Sequence, residues 1–144
     1  MARITVNGLE SLMVDLEALI AMPDSVAEAI LDAEADVIVP AQRSEIASRW
    51  KGPYSMGISA KSVKKGKAKK TEDGHAVHVY PQGSRRRGKQ SVRNAEIAFI
   101  NEYGARERGI APRPAVGTAN AKAEKQAVEA GERVLNAYLD SKNL

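Results

Sequence analysis

The chain has 144 residues and a formal net charge of +4; its hydrophobic share is 43%, yet 23 of those residues are alanine and only six are aromatic (Trp50, Tyr54, Tyr80, Phe99, Tyr103 and Tyr138). This fits a single domain over 1–144 with a modest core of Val, Ile and Leu, in which alanines let helices approach closely. Cysteine is absent and the only histidines are His75 and His78, which excludes a disulfide framework and an ordinary structural zinc site; no cofactor is expected.

No run of 18 apolar residues exists, and "MARITVNGLE" lacks the apolar stretch of a secretory signal, so the expectation is a soluble, cytoplasmically made protein. The net charge hides an asymmetry: residues 1–48 sum to −7, residues 49–93 to +11, and residues 94–144 to zero. A basic middle follows an acidic first third.

In chain order, Ile4 and Val6 alternate before Asn7-Gly8, the mark of a short strand and turn. Leu9, Leu12, Met13, Leu16, Leu19 and Ile20 then hold the spacing of one helical face, and Pro23 ends that helix. Ser25 with Glu28 is a capping-box pattern opening a second helix, whose expected inner face is Val26, Ile30, Ala33, Val37 and Ala41. Pro40 predicts a kink with helix resuming over 42–48, the alternative being a stop at Val39.

"WKGPYSMG" is turn material. Residues 58–63 alternate, as do residues 75–80, "HAVHVY", so the pair reads as a hairpin with a long basic tip. "PQGSRRRGKQSVRN" reads as another loop without a core anchor, and "AEIAFI" (95–100) as a third strand or the start of a short helix. From Pro114, the spacing of Val116, Ala119, Ala123, Ala127, Ala130, Val134 and Tyr138 is helical, with Gly131 as a weak point. The expected fold class is α+β: a small antiparallel sheet packed against N-terminal helices and a long C-terminal helix, with a basic hairpin loop.

Catalytic chemistry finds little support. The acids Asp15, Glu17, Asp24, Glu28, Asp32, Glu34 and Asp36 fall mostly on solvated helix faces. His75 and His78, three apart in a strand, point to opposite faces. "GSRRRGK" lacks the spaced glycines and final Ser/Thr of a phosphate loop.

The basic segment carries the one functional argument. Lys61, Lys64, Lys65, Lys67, Lys69 and Lys70 precede Arg85, Arg86, Arg87, Lys89 and Arg93. Two such loops at the ends of neighbouring strands would gather about ten charges, suited to phosphate contacts that do not read sequence. An acidic surface on another protein, including a second copy's acidic first third, is the competing partner, and simple solvation the bland one. No aromatics interleave the charges, which argues against stacking on single strands.

One stretch remains, "AFINEYGARERGIAPRPAV" (98–116). Physically, Gly104 after an exiting strand permits a sharp turn while Tyr103 covers the sheet edge. Pro112 and Pro114 hold the chain extended, with Pro114 in the first turn of the last helix. The stretch also resembles the signature of a family of tailed-bacteriophage tail components, the neck or tail-completion proteins encoded near the head–tail joining genes of long-tailed phages. Phe99, Glu102, Tyr103, Gly104, Pro112 and Pro114 match its pattern of aromatic–Gly, charged loop and Pro-x-Pro helix entry. Ala115-Val116 departs from the family's usual Phe-Leu, and "GPYSMGIS" from its Thr-Gly-x-Leu turn.

The resemblance implies a non-enzymatic structural protein of the virion, made in the host bacterium. It implies a closed ring of copies, a hexamer being one count, around the DNA channel, touching a head-side connector and tail-tube or terminator proteins, with duplex DNA in the channel and no membrane. The alternatives are a small sequence-independent DNA-binding protein acting through the basic loops, and an enzyme such as a nuclease.

Overall fold

The computed structural model describes residues 21–51 and 57–143, with Met13 and Glu17 besides. The expected strand at Ile4 and Val6, the apolar face from Leu9 to Ile20 and most of the "WKGPYSMG" turn lie outside the described residues. The fold is α+β, with a helix toward the N-terminus, small antiparallel ladders and a long C-terminal helix.

Helix α1, Asp24–Arg49, has Pro23 in extended conformation at its N-cap, and the Pro23 carbonyl accepts from the Val26 and Ala27 N–H groups. The Ser25–Glu28 capping box does not form, because helix begins one residue ahead of Ser25 and the cap has no side-chain bond. The helix passes through Pro40 rather than stopping at Val39. Pro40 lies on the exposed side, where water can serve the carbonyl deprived of its usual donor.

Its inner stripe also differs from expectation. Ala35, Gln42 and Ile46 are buried, whereas Val26, Ile30, Ala33, Val37 and Ala41 are only half-buried. A polar residue marks the inner face, and a reading of apolar spacing assigns that position to solvent.

Helix α4, Val116–Ser141, is the principal packing partner of α1. Its buried stripe is Ala119, Ala123, Ala127, Ala130 and Gly131, the face that the sequence spacing predicts. The supposed weak point at Gly131 lies against α1: a Cβ there would come within 3.0 Å of Glu34 Cγ. A small core of Ile46, Trp50, Val63, Ala98 and Ala115 closes where the end of α1 meets the start of α4.

Residues 58–63 do not make a strand. Gly57, at φ 70°, opens a short helix α2, Ile58–Ser62, and strand begins only at Val63. An apolar alternation of so few residues fits either period. β1 (Val63–Lys65) pairs antiparallel with β4 (Val79–Pro81), and β2 (Lys69–Thr71) with β3 (Gly74–Ala76), so the expected basic-tipped hairpin exists as two ladders. The Gly66 N–H bonds the His78 carbonyl at 2.8 Å between them.

The expected loop at 81–94 is a second hairpin, β5 (Ser84–Arg87) with β6 (Gln90–Arg93), turning at Gly88 with φ 63°. Among the described residues the ladders are therefore three separate two-stranded pairs rather than one sheet. Of the two readings of residues 95–100 the helix holds, as α3, Asn94–Tyr103.

Candidate functional site: two basic hairpins and a carboxylate clamp

The stretch 98–116 is a clamp made of backbone and side chain together. Glu102, in the last turn of α3, reaches to the start of α4. Its Oε2 accepts from the Ala115 and Val116 N–H groups at 2.7 and 2.9 Å, and its Oε1 from Gly117 at 2.8 Å. One carboxylate thus satisfies three of the unpaired donors at the helix start, where its charge also meets the positive end of the helix dipole.

Beside it, the Asn101 carbonyl accepts from the Arg113 N–H at 2.8 Å, and its Oδ1 accepts from Arg113 Nη2 at 2.7 Å. Trp50 Nε1 donates to the Arg113 carbonyl at 2.7 Å, so α1 joins the clamp. Gly104 has φ 75° and ψ 177°, a conformation that only glycine adopts readily. A Cβ at Gly104 would sit 2.6 Å from the Ile110 carbonyl oxygen.

Three details of the expected clamp change. Gly104 follows a helix rather than a strand, and Pro114 lies outside α4, whose N-cap is Ala115. Tyr103 does not cover a sheet edge: it is 68% exposed, Phe99 is 63% exposed, and their rings meet at a tilt of 52° with centroids 4.8 Å apart. Pro112 and Pro114 are exposed. Ala115, in place of the larger residue of the resembled pattern, is fully buried in the core.

The eleven basic candidates divide by what they touch. Lys65 lies 2.7 Å from both Asp32 Oδ1 and Asp36 Oδ1, and these carboxylates, Asp32 first, raise its pKa above the ordinary lysine value. Lys70 reaches Asp24 Oδ2 at 3.3 Å, and His75 Nε2 stands 3.3 Å from the other oxygen of that carboxylate, without hydrogen-bond geometry. These contacts bind the first hairpin to α1.

Arg85 is structural. Its Nε donates to Asn94 Oδ1 at 2.7 Å and its Nη2 to Ser59 Oγ at 2.7 Å. Burial, with Arg87 nearby second, lowers its pKa from the usual arginine value. Asn94, 4% exposed, also donates to the Gln82 carbonyl at 2.7 Å. The second hairpin therefore does have a core anchor, and a polar one.

Lys61, Lys64, Lys67, Lys69, Arg86, Arg87, Lys89 and Arg93 are exposed and make no ion pair among the described residues.

The structural roles of three residues are not legible in the sequence. Glu102 stands in the recognisable motif, but its partners lie 13 to 15 residues on. Asn94 sits in an apparent loop. Gln42, 1% exposed, donates to the Val79 carbonyl at 3.3 Å and to Asn120 Oδ1 at 3.0 Å, joining α1, β4 and α4.

His75 is half-buried and His78 exposed. No group of three His, Asp or Glu among the described residues is arranged to hold a metal, and no helix among them is long and apolar enough to cross a membrane. Set against protein-family models, curated proteins and solved structures, the chain matches none of them.

Proposed function

We propose that this chain is a structural subunit of the head–tail junction of a long-tailed bacteriophage. In this reading it is a neck or tail-completion protein that closes into a ring of copies around the DNA channel. A head-side connector adjoins the ring on one side and a tail-tube or terminator protein on the other. The residues that carry the family resemblance support a structural role, since Glu102, Gly104 and their neighbours lock two helices together and bear no chemistry.

The observation that carries the reading is the exposed aromatic pair beside that clamp. Phe99 and Tyr103 meet ring against tilted ring in solvent, and with Tyr80, itself 44% exposed, they line a cleft closed by Pro81, Ala98 and Val116. Half of the six aromatics of the chain thus stand on one face, with no packing role that explains their exposure. Aromatic residues gathered on a surface mark a face made for another protein. Of the acids of α1, Asp24, Asp32 and Asp36 engage cations of the first hairpin.

Native mass measurement across a concentration series tests the proposal. A closed oligomer is expected for the wild type, and a folded monomer for the Phe99→Ser/Tyr103→Ser double variant. A wild-type monomer at every concentration would overturn it.

A further inference from the structure

The two basic hairpins differ in what their charges already do. In the first, 63–81, Lys65 and Lys70 are held by carboxylates of α1, and Glu72 and Asp73 at the turn offset two more charges. In the second, 84–93, there are five cations and no acid. Arg85 alone is spent, on Asn94 and Ser59.

The register sorts the rest. Opposed residues share a face of a two-stranded ribbon. Ser84 with Arg93 and Arg86 with Ser91 thus form one face, and Arg85 with Val92 the other. The first face is wholly exposed, whereas Arg85 and Val92 are half-buried. Arg87, opposite Gln90, belongs by the same alternation to the Arg85 face but stands exposed beyond its buried part, and with Lys89 it carries the charge to the turn. The outer face therefore offers guanidinium, ammonium and hydroxyl donors and no apolar atom larger than a side-chain stem.

We infer that the 84–93 ribbon grips the phosphate backbone of duplex DNA without reading sequence, and that the 63–81 hairpin does not. Donors of this kind are those that contact phosphate. A face meant for a folded protein would carry an apolar centre, and this one has none. One meant for single strands would carry aromatics for base stacking, and this one has none either. The ribbon, four residues per strand, is about 14 Å long at about 3.4 Å per residue, and a two-stranded ribbon fits a duplex groove. Arg85 supplies the stiffness by tying the base of the ribbon to Asn94. The inference rests on the junction reading for where subunit and duplex meet, and on the ribbon alone for its chemistry.

The test is fluorescence anisotropy of a labelled duplex of arbitrary sequence with the full chain over a salt series. Log affinity should fall linearly with log salt, by about 0.9 per phosphate contacted. The Arg86→Gln/Arg87→Gln/Lys89→Gln/Arg93→Gln variant should bind about tenfold or more weakly and lose about 3 to 4 units of that slope. The Lys61→Gln/Lys64→Gln/Lys67→Gln/Lys69→Gln variant, equal in charge change, should keep nearly all of both. A thermal melt of each variant confirms that the fold is intact.

Failure of the wild type to bind duplex at low salt would overturn the inference. So would equal losses in the two variants, tighter binding of single strands, or binding of polyglutamate without duplex. Native mass separates this from the junction reading: duplex binding by a strict monomer leaves the ribbon standing and removes the ring, and a ring that ignores duplex does the reverse.

Discussion

Glu102 ties the start of α4 to the end of α3 through three backbone N–H groups, and its loss should be felt in the fold. Removing a good helix cap costs about 1–2 kcal/mol. Glu102→Ala should therefore lower the melting temperature by about 3–6 °C. An unchanged melt would show that water serves those donors equally well. Glu45 gives a pH signature instead. Hydrogen bonds from Lys122 and then Arg49 hold its carboxyl below the ordinary value of 4.5. A depressed carboxyl contributes stability above the ordinary value and loses it as pH falls through the lowered one. In urea titrations, Glu45→Gln should be less stable than wild type at pH 7, with the gap closing below about pH 4.5. A gap constant from pH 7 to pH 3 would contradict this. Sequence reading anticipates Gly104, because positive φ after an aromatic is a local property. It names Glu102 in the resembled pattern but misses its capping role, and it misses Asn94 and Gln42, because what such a polar side chain does is defined by distant partners.

Among the elements, α4 was legible because its small residues, Ala119 to Gly131, repeat on one face over about three turns without interruption. The inner face of α1 was not, since Gln42 stands where an apolar residue is sought. The 84–93 hairpin was not legible either: three successive arginines show no alternation, and what fixes it is a glycine turn and a polar anchor. That anchor makes the arginines unequal. Arg85→Gln should destabilise the protein by about 1–3 kcal/mol, since it leaves buried Asn94 short of a charged donor. Arg86→Gln and Arg87→Gln should leave the urea midpoint within error of wild type. Equal effects at all three positions would show that the ribbon is held by its backbone alone.

Over the whole molecule, the −7 and +11 segments of the sequence suggest a copy-to-copy pairing of opposite charge. Part of that complementarity is met within one chain, where Asp24, Asp32 and Asp36 take up Lys70 and Lys65. Among the described residues, what remains outward includes the unpaired lysines around the first hairpin, a basic ribbon and an aromatic face, the last two being features of different chemistry suited to two different partners. A subunit in a ring has this need, with one face for its neighbour and another for what passes through. A heterologous contact closes such a ring when its rotation returns on itself. Negative-stain images of the concentrated protein test this most directly. Closed rings of uniform copy number, with a central hole wide enough for a duplex, are the expected result. Compact single particles without a hole, at every concentration tried, would contradict it.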